Sequence, residues 1–301
     1  MEKKSSASVY LFLLITFFCW GSVYVVSKYA LGAMPAPAVC TSRVIVGVLA
    51  VLFLARNEKR PQFSKEEKKS LLMIAFFGYF STQQLVTLGI SLTGASMAAL
   101  INALTPVAIT IVAAIVLKEK IDAVKIVCLA LAIGGTAIVA VDGVEGGSLL
   151  GILCVLVSLT TWAIASTHVR RLTQKYSALI VTLYGMALSL IFQIPVAVGS
   201  IVANPGSVHF SLTTVAALLY LGIVGTGVGQ VGWSRCLQLK EASFCSMFYP
   251  LQPVFSALLG AVILGETFKP MFFVGLVLIA ADVVLICMHN NRLEKQAAAE
   301  K

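Results

Sequence analysis

Long apolar segments alternate with short polar ones along the whole chain. A membrane-spanning helix needs about 20 mostly apolar residues. Ten stretches of roughly that length occupy residues 10–31, 36–55, 70–92, 95–117, 121–141, 149–168, 178–202, 212–236, 242–264 and 270–288. The pattern therefore predicts an all-α membrane protein with ten transmembrane helices joined by short loops, followed by a tail at residues 289–301.

The composition excludes a water-soluble protein. Of the 301 residues, 59% are hydrophobic and 12% are charged, and the mean hydropathy is +0.95. A soluble domain carries about twice that charged fraction. The first apolar segment could be a signal peptide, but it is longer than a signal-peptide core and contains Trp20 and Lys28. We therefore expect it to be retained as a transmembrane helix.

The distribution of charge predicts the orientation in the membrane. A net charge of +9 would suggest nucleic-acid binding in a soluble protein. Here the basic residues cluster in the terminal segments and in alternate connections, at residues 3–4, 56–69, 118–125, 170–175, 235–240 and 292–301. The remaining connections contain a single lysine or arginine, Lys269. Because lysine and arginine mark cytoplasmic loops, both termini are predicted to be cytoplasmic. The expected partner is the lipid bilayer of the inner or plasma membrane, not nucleic acid.

No sequence motif indicates catalysis, a metal or a cofactor. The seven cysteines lie in or beside apolar segments without a C-x-x-C pair, so we expect buried thiols rather than disulfides or zinc ligands. No HExxH, Walker or nucleophile-elbow motif is present. Residues 227–232 spell G-x-G-x-x-G but lie inside an apolar segment, which favours close helix packing. The sequence therefore predicts neither an enzyme nor a primary pump.

The chain contains an internal repeat with an offset of 147 residues. At that offset, without a gap, Gln83 falls on Gln230, Pro106 on Pro253 and Glu119 on Glu266. Trp20 and Trp162 align after a five-residue adjustment. The halves are thus predicted at residues 10–141 and 149–288. Each half has five helices, an odd number, so the second must be inverted in the membrane, an arrangement typical of transporters that alternate between two open states.

Short motifs in both halves resemble one known family. They are Trp20-Gly21-Ser22, Ser42-Arg43-Val44, Leu104-Thr105-Pro106, Leu117-Lys118-Glu119, Trp162-Ala163 with Arg170-Arg171, and Leu264-Gly265-Glu266. In this combination the chain is similar to the EamA family of the drug/metabolite transporter superfamily. The resemblance implies two tandem EamA-like domains and a ten-helix transporter that exports amino acids or other metabolites through a central cavity. It does not imply one substrate.

Two glutamines occupy matched positions in the apolar segments. Gln83 and Gln230 lie in the middle of the third and eighth predicted helices. An amide facing lipid costs a few kcal/mol, so both are expected to face protein or water. Either they hold the bundle together by interhelical hydrogen bonds or they line the cavity and bind a polar substrate. Both interpretations stay open.

Polar and aromatic residues near the middle of other helices are further candidates for substrate binding. Asn102 and Thr105, with Tyr249 and Gln252, lie beside prolines, and irregular backbone at membrane depth is tolerated only beside protein or a wet cavity. Simple helix kinks are the alternative. The matched Trp20 and Trp162 are either core residues or a stacking wall for an apolar group, with Tyr24, Tyr184 and Trp233 as companions.

Two charged residues are candidates for gating or coupling. Arg43 lies about two turns into the second helix and is a candidate anion contact or gate charge. Asp282 is the one carboxylate expected within the hydrocarbon, and an unpaired carboxylate there tends to keep its proton. It is therefore a candidate for proton coupling, with an interhelical hydrogen bond as the alternative. Glu119 and Glu266 are expected to cap or pair at helix ends.

The sequence predicts a secondary transporter or facilitator for a small-molecule substrate. The pocket is expected between helices one, three, four, six, eight and nine, and the favoured cargo is an exported metabolite, amino acids first. The alternatives are a broad drug or cation exporter and a metabolite importer. A cation exporter would usually have a carboxylate in its pocket, so the position of Asp282 discriminates between these interpretations.

Overall fold

The computed structural model describes residues 6–102, 104–141, 148–204, 206–264 and 270–299, and within these ranges it contains helices and no strand. The helices are α1 (Ser6–Leu31), α2 (Ala36–Leu54), α3 (Lys65–Thr93), α4 (Ala95–Asn102), α5 (Thr105–Val116), α6 (Ala123–Val141), α7 (Leu149–Thr173), α8 (Ala178–Ala203), α9 (Leu212–Leu239), α10 (Ala242–Ser246), α11 (Leu251–Leu264) and α12 (Pro270–Ala299).

Most of these helices are suited to a membrane. Eight helical segments of the described residues are long and apolar enough to cross it, and two shorter apolar helices, Thr105–Val116 and Ala123–Gly135, accompany them. Large apolar side chains such as Leu49, Phe53 and Val262 are exposed on the outside of the bundle. Such a surface would aggregate in water but is compatible with lipid. The predicted all-α membrane fold is confirmed.

The predicted fourth and ninth spans are each broken in two. α4 and α5 are separated near Leu104, and Pro106 occupies the first turn of α5, where its missing N–H is tolerated. A turn at residues 247–250 separates α10 from α11. The prolines predicted to disturb these spans therefore lie close to the points where the helices are interrupted. The last helix also differs from the prediction, because α12 continues through a polar, helix-forming sequence to Ala299.

α3 and α9 are π-helical in their middle parts. The π-helical stretches are Ile74–Thr82 and Leu221–Val228. In each, a threonine hydroxyl donates to the carbonyl five residues earlier, Thr82 to Phe77 at 2.7 Å and Thr226 to Leu221 at 2.9 Å. Each hydroxyl thus bonds to the carbonyl five residues earlier, the same spacing as a π-helical backbone hydrogen bond. π-Helical turns are frequent at functional sites, and these two stretches end just before Gln83 and Gln230.

The first helix of each predicted half packs against helices of the other half. α1 contacts α9 and α11, whereas α7 contacts α3 and α5. α6 and α12 pack against one another. α1, α3, α7 and α9 therefore supply most of the centre of the bundle. The seven cysteines are unpaired and six are buried, as expected for small core side chains.

The glycine-rich segment of α9 allows close helix packing, as predicted. A Cβ atom added at Gly229 would lie 2.6 Å from Nε1 of Trp20. Any larger residue at this position would displace the indole ring or separate α1 from α9. The segment follows no strand, so the structure gives no support to a nucleotide-binding loop.

Candidate functional site

A cavity lies at the centre of the bundle. Its volume is about 60 Å³, which is below the usual range of small-molecule sites, so a cargo of amino-acid size fits only when the surrounding helices move apart. Its lining residues are Trp20, Val23, Tyr24, Arg43, Thr82, Gln83, Val86, Asn102, Trp162, Gln230, Tyr249 and Gln252. The structure thus brings together seven of the eight predicted substrate-binding residues, together with Arg43.

Arg43 connects α3 and α9 at the cavity wall, at Gln83 just after the first π-helical stretch and at Thr226 within the second. Its side chain extends from α2 and is only 4% exposed. Nε donates to Oγ1 of Thr226 at 3.0 Å, and Nη2 donates to Oε1 of Gln83 at 2.9 Å. Both acceptors are neutral. The guanidinium is therefore hydrogen-bonded in place without a carboxylate to balance its charge among the described cavity-lining residues.

The amide side chains of the cavity differ in their hydrogen bonding. Gln83 accepts from Arg43, and Nδ2 of Asn102 donates to Oε1 of Gln252 at 2.9 Å. Gln230, at 1% exposure, has a buried Oε1 without a hydrogen-bond partner among the described residues. A buried acceptor without a donor is unfavourable by about 1–3 kcal/mol, so Gln230 is suited to bind a donor that enters the cavity.

Three aromatic rings that line the cavity, those of Trp20, Trp162 and Tyr249, pack with the fully buried Trp233, which does not line it. We call these four residues the aromatic floor. The ring centroids of Trp20 and Trp162 are 5.7 Å apart in an edge-to-face arrangement. Trp20 also lies 5.6 Å from Trp233 and 5.8 Å from Tyr249. Nε1 of Trp162 donates to the hydroxyl of Tyr249. The two matched tryptophans therefore pack with one another and also line the cavity.

Three predicted participants lie elsewhere. Thr105 is fully buried and donates to the carbonyl of Asn102, so it supports the break after α4 rather than lining the cavity. Tyr184, expected among the aromatic companions of the tryptophans, instead packs against Phe63, with the two ring centroids 5.2 Å apart. Asp282 is fully buried on α12, where its backbone carbonyl accepts from Cys128 of α6, and it does not line the cavity.

The predicted set of pocket helices omitted the second helix. α2 contributes Arg43, the one basic residue among the described residues that line the cavity. Tyr24 and Val86 also line it, one turn beyond Trp20 and Gln83 respectively. Residues three or four apart share a helix face. Tyr24 was predicted as an aromatic companion of Trp20, and the helical period applied to Gln83 would have identified Val86.

Basic residues collect at one end of the bundle, which we call the basic end. Lys118, Lys120, Lys125, Arg170, Arg171 and Lys175 surround a common space there. A salt bridge of 3.0 Å between Lys175 and Glu67 places the start of α3 at the same end. Basic residues from connections that are separate in the sequence therefore lie at the same end of the bundle.

Glu119 connects the two halves at the basic end. Its carboxylate accepts from the backbone N–H groups of Ala242 and Ser243, both at 3.0 Å, and from the Ser243 hydroxyl at 2.6 Å. Nζ of Lys125 lies 3.0 Å from Glu241 and 2.9 Å from the same hydroxyl. These contacts, the Glu119 latch, tie the end of α5 to the start of α10. The predicted capping role of Glu119 is confirmed, and Glu266 lies outside the described residues.

A second polar contact at the basic end joins α6 to α12. Burial raises the pKa of Asp122, but hydrogen bonds from the Lys125 N–H at 2.9 Å and from His289 at 3.0 Å outweigh it. The pKa of Asp122 therefore lies below its ordinary value. The carboxylate stays ionised and fixes the start of α6 against α12.

The family assignment follows from a comparison with family models. The model of the EamA-like transporter family matches the chain twice, at residues 7–141 and 149–288. The chain belongs to this family. It is accordingly a multi-pass membrane protein of the plasma membrane, and its family and its relatives point to transport.

Similar proteins are found in several organisms. An uncharacterized transporter of Archaeoglobus fulgidus is 28% identical over 92% of this chain and 98% of its own length. A protein of Streptantibioticus cattleyicolor named "Probable terminal-alkyne amino-acid exporter" is also 28% identical, over 91% of each chain. A solved crystal structure superimposes with a TM-score of 0.78 at 18% identity, covering 96% of this chain and all of the other. The last comparison supports the fold alone.

Proposed function

We propose that this EamA-like transporter exports small metabolites, amino acids first, by alternating access at the central cavity. It acts as a secondary transporter or facilitator with ten membrane crossings, inverted halves at residues 10–141 and 149–288, and both termini in the cytoplasm. The observation that carries the proposal is the cavity itself, because it is lined by polar residues from both halves, including the matched Gln83 and Gln230.

The irregular parts of the helices support the inverted repeat. The π-helical stretches Ile74–Thr82 and Leu221–Val228 correspond at the offset of 147 residues. A Cβ atom added at Gly78 would lie 2.7 Å from Ala165, and one added at Gly225 would lie 2.5 Å from Val23. These two close contacts are equivalent under the repeat. Symmetry-related halves can exchange conformations and open a shared site to either side.

The positions of Trp233, the Glu119 latch and the cavity support alternating access. Trp233 lies on α9 between Gln230, which lines the cavity, and the end of the helix at Leu239. The Glu119 latch lies farther from the cavity, at the basic end. Arg43 lies in the second turn of α2, which begins at the opposite end of the bundle. With the basic end in the cytoplasm, this arrangement corresponds to a transporter closed toward the cytoplasm.

The cavity chemistry favours an amphipathic cargo over a cation. Its amides and Arg43 suit polar groups, whereas the aromatic floor suits an apolar side chain. A cation exporter needs negative charge in the pocket, but the described lining residues include no carboxylate and Asp282 lies outside the cavity. The name of the Streptantibioticus cattleyicolor relative gives further support to amino acids.

Counterflow in proteoliposomes tests this function. Liposomes containing the purified protein and an unlabelled amino acid should take up the same labelled amino acid with saturable kinetics, across a panel of apolar and polar side chains. Protein-free liposomes are the control. Absence of amino-acid movement, with saturable uptake of a cationic dye, would contradict the proposal. Expression in cells should lower the intracellular amino-acid level, whereas an importer would raise it.

Proton coupling through Asp282 is a separate part of the proposal. The carboxylate is fully buried, and neither oxygen has a hydrogen-bond partner among the described residues. An ionised carboxylate in such surroundings is strongly disfavoured. An imposed pH gradient should drive accumulation through the original protein, and Asp282→Asn should remove that drive while counterflow continues. Equal accumulation by both proteins would exclude Asp282 from coupling.

A further inference from the structure

Among the described residues that line the cavity, none carries a negative charge to balance Arg43. Its hydrogen-bond partners, Thr226 and Gln83, are neutral, and no carboxylate is present among the described lining residues. Of the other acidic groups considered above, Glu119 is bound at the latch and Asp282 lies between α6 and α12. A guanidinium does not lose its proton in proteins. A ligand with a negative charge would therefore supply what the cavity lacks.

The geometry of Arg43 leaves room for such a ligand. A guanidinium carries five N–H donors, and the contacts with Thr226 and Gln83 use one on Nε and one on Nη2. The other donors, including both on Nη1, bind none of the described residues. A carboxylate accepts two parallel N–H bonds from one guanidinium. The two existing bonds hold the group in position before the ligand arrives, which favours selective binding.

An independent observation indicates where a donor group of the ligand would bind. Gln230 lies on the opposite half of the protein and presents a buried, unpartnered acceptor to the same cavity. A neutral amide oxygen accepts from an ammonium or an amine without requiring a full positive charge. The aromatic floor lies next to Gln230, because the neighbouring residue Gly229 packs against the indole ring of Trp20. The cavity thus offers a cationic site, a neutral acceptor and an aromatic surface.

We infer that Arg43 is the specificity-determining residue of this transporter and that it selects small monocarboxylates, zwitterionic amino acids included, over cations. The inference rests on the proposed transport through the central cavity. The carboxylate binds Arg43, a donor group binds Gln230 when the substrate has one, and the apolar part contacts the aromatic floor.

Four phenyl compounds separate the groups of the substrate: L-phenylalanine, 3-phenylpropionate without the ammonium group, L-phenylalaninamide without the carboxylate, and phenethylamine without the carboxylate. Binding is measured by ligand-induced thermal stabilisation of the purified protein, and transport by competition with labelled phenylalanine. We expect the two carboxylates to bind at least tenfold more tightly than the amide and the amine. Equal binding of phenylalanine and its amide would overturn the inference without any variant.

Variants of Arg43 assign this selectivity to one side chain. Arg43→Gln should raise the KM for phenylalanine at least tenfold and abolish the preference for carboxylates, and Arg43→Lys should restore part of it. Arg56→Gln is the matched control, because Arg56 follows α2 and stacks on Phe53 outside the cavity. A folded Arg43→Gln protein with unchanged KM and preference would overturn the inference. If Arg43→Gln does not fold, the four ligands on the original protein decide.

The same measurements separate this inference from the proposed function. Binding of phenylpropionate that requires Arg43, without binding or transport of any amino acid, would contradict amino-acid export and support carboxylate selection. Amino-acid transport with equal acceptance of the amide would support the proposed function and contradict the inference. Binding of phenethylamine alone would contradict both.

Discussion

Glu119 at the end of α5 binds Ser243 at the start of α10 through both its backbone N–H at 3.0 Å and its hydroxyl at 2.6 Å. The two residues belong to different predicted halves, and the contact lies at the basic end. A transporter that opens at this end must separate α5 from α10. If transport proceeds by the proposed alternating access, the Glu119 latch forms in the state closed at the basic end and breaks in the open state.

We expect Glu119→Gln to weaken the closed state. A hydrogen bond to a charged group contributes about 1.5–3 kcal/mol, so loss of the carboxylate should increase the population open at the basic end by about tenfold or more. Cys236 and Cys245 are fully buried near the latch, and their reaction with a maleimide reports that opening. Glu66→Gln is the control, because Glu66 pairs with Lys69 at the exposed surface. Equal labelling rates in both variants would contradict a latch role.

Glu266 should act in the opposite direction. The offset of 147 residues relates Glu119 to Glu266 and Ser243 to Ser96 at the start of α4. If the halves exchange conformations, Glu266 binds that helix start in the state that is open at the basic end. Glu266→Gln should therefore slow the labelling of Cys236 and Cys245, whereas Glu119→Gln accelerates it. The same sign for both variants would contradict the inverted relationship of the halves.

Much of the fold could be predicted because lipid imposes simple requirements. Helix positions followed from the length of the apolar segments, and the basic end followed from charge alternation. The breaks near Leu104 and at residues 247–250 were anticipated only as prolines in apolar segments, because a single sequence does not tell whether a proline kinks a helix or ends it. The π-helical stretches had no signal, since they depend on how neighbouring helices pack.

The candidate site could be predicted in its members but not in its contacts. Polar residues deep in apolar segments, such as Gln83 and Asn102, must face protein or water, so their convergence was expected. That Arg43 reaches Gln83 and Thr226 depends on the placement of α2 against α9. Tyr184 shows the limit of the method: aromatic character in an apolar helix does not tell which neighbour it faces, and this residue faces Phe63.

Replacing Gln230 separates substrate binding from bundle stability. Its Oε1 has no partner among the described residues, so Gln230→Leu removes an unfavourable buried acceptor while conserving much of the volume. We expect the melting temperature in detergent to stay equal or rise, and the KM for transported amino acids to rise several-fold. A glutamine that merely holds helices together would give the reverse, a lower melting temperature with an unchanged KM. Gln83→Leu differs because it also removes an acceptor of Arg43. We expect this variant to have a lower melting temperature and a higher KM.

Gly229→Ala tests whether close packing of α9 positions the aromatic floor. The added methyl group would lie 2.6 Å from Nε1 of Trp20, so the indole must move, and overpacking of this kind is unfavourable by about 1–3 kcal/mol. We expect lower thermal stability, altered tryptophan fluorescence and a higher KM. Gly199→Ala in α8 is the matched control, because apart from the adjacent backbone of α8 no atom of the described residues lies within 4 Å of its added Cβ. Alanine also favours a helix over glycine. Unchanged transport in Gly229→Ala, with Gly199→Ala as the reference, would show that the orientation of Trp20 does not matter for substrate.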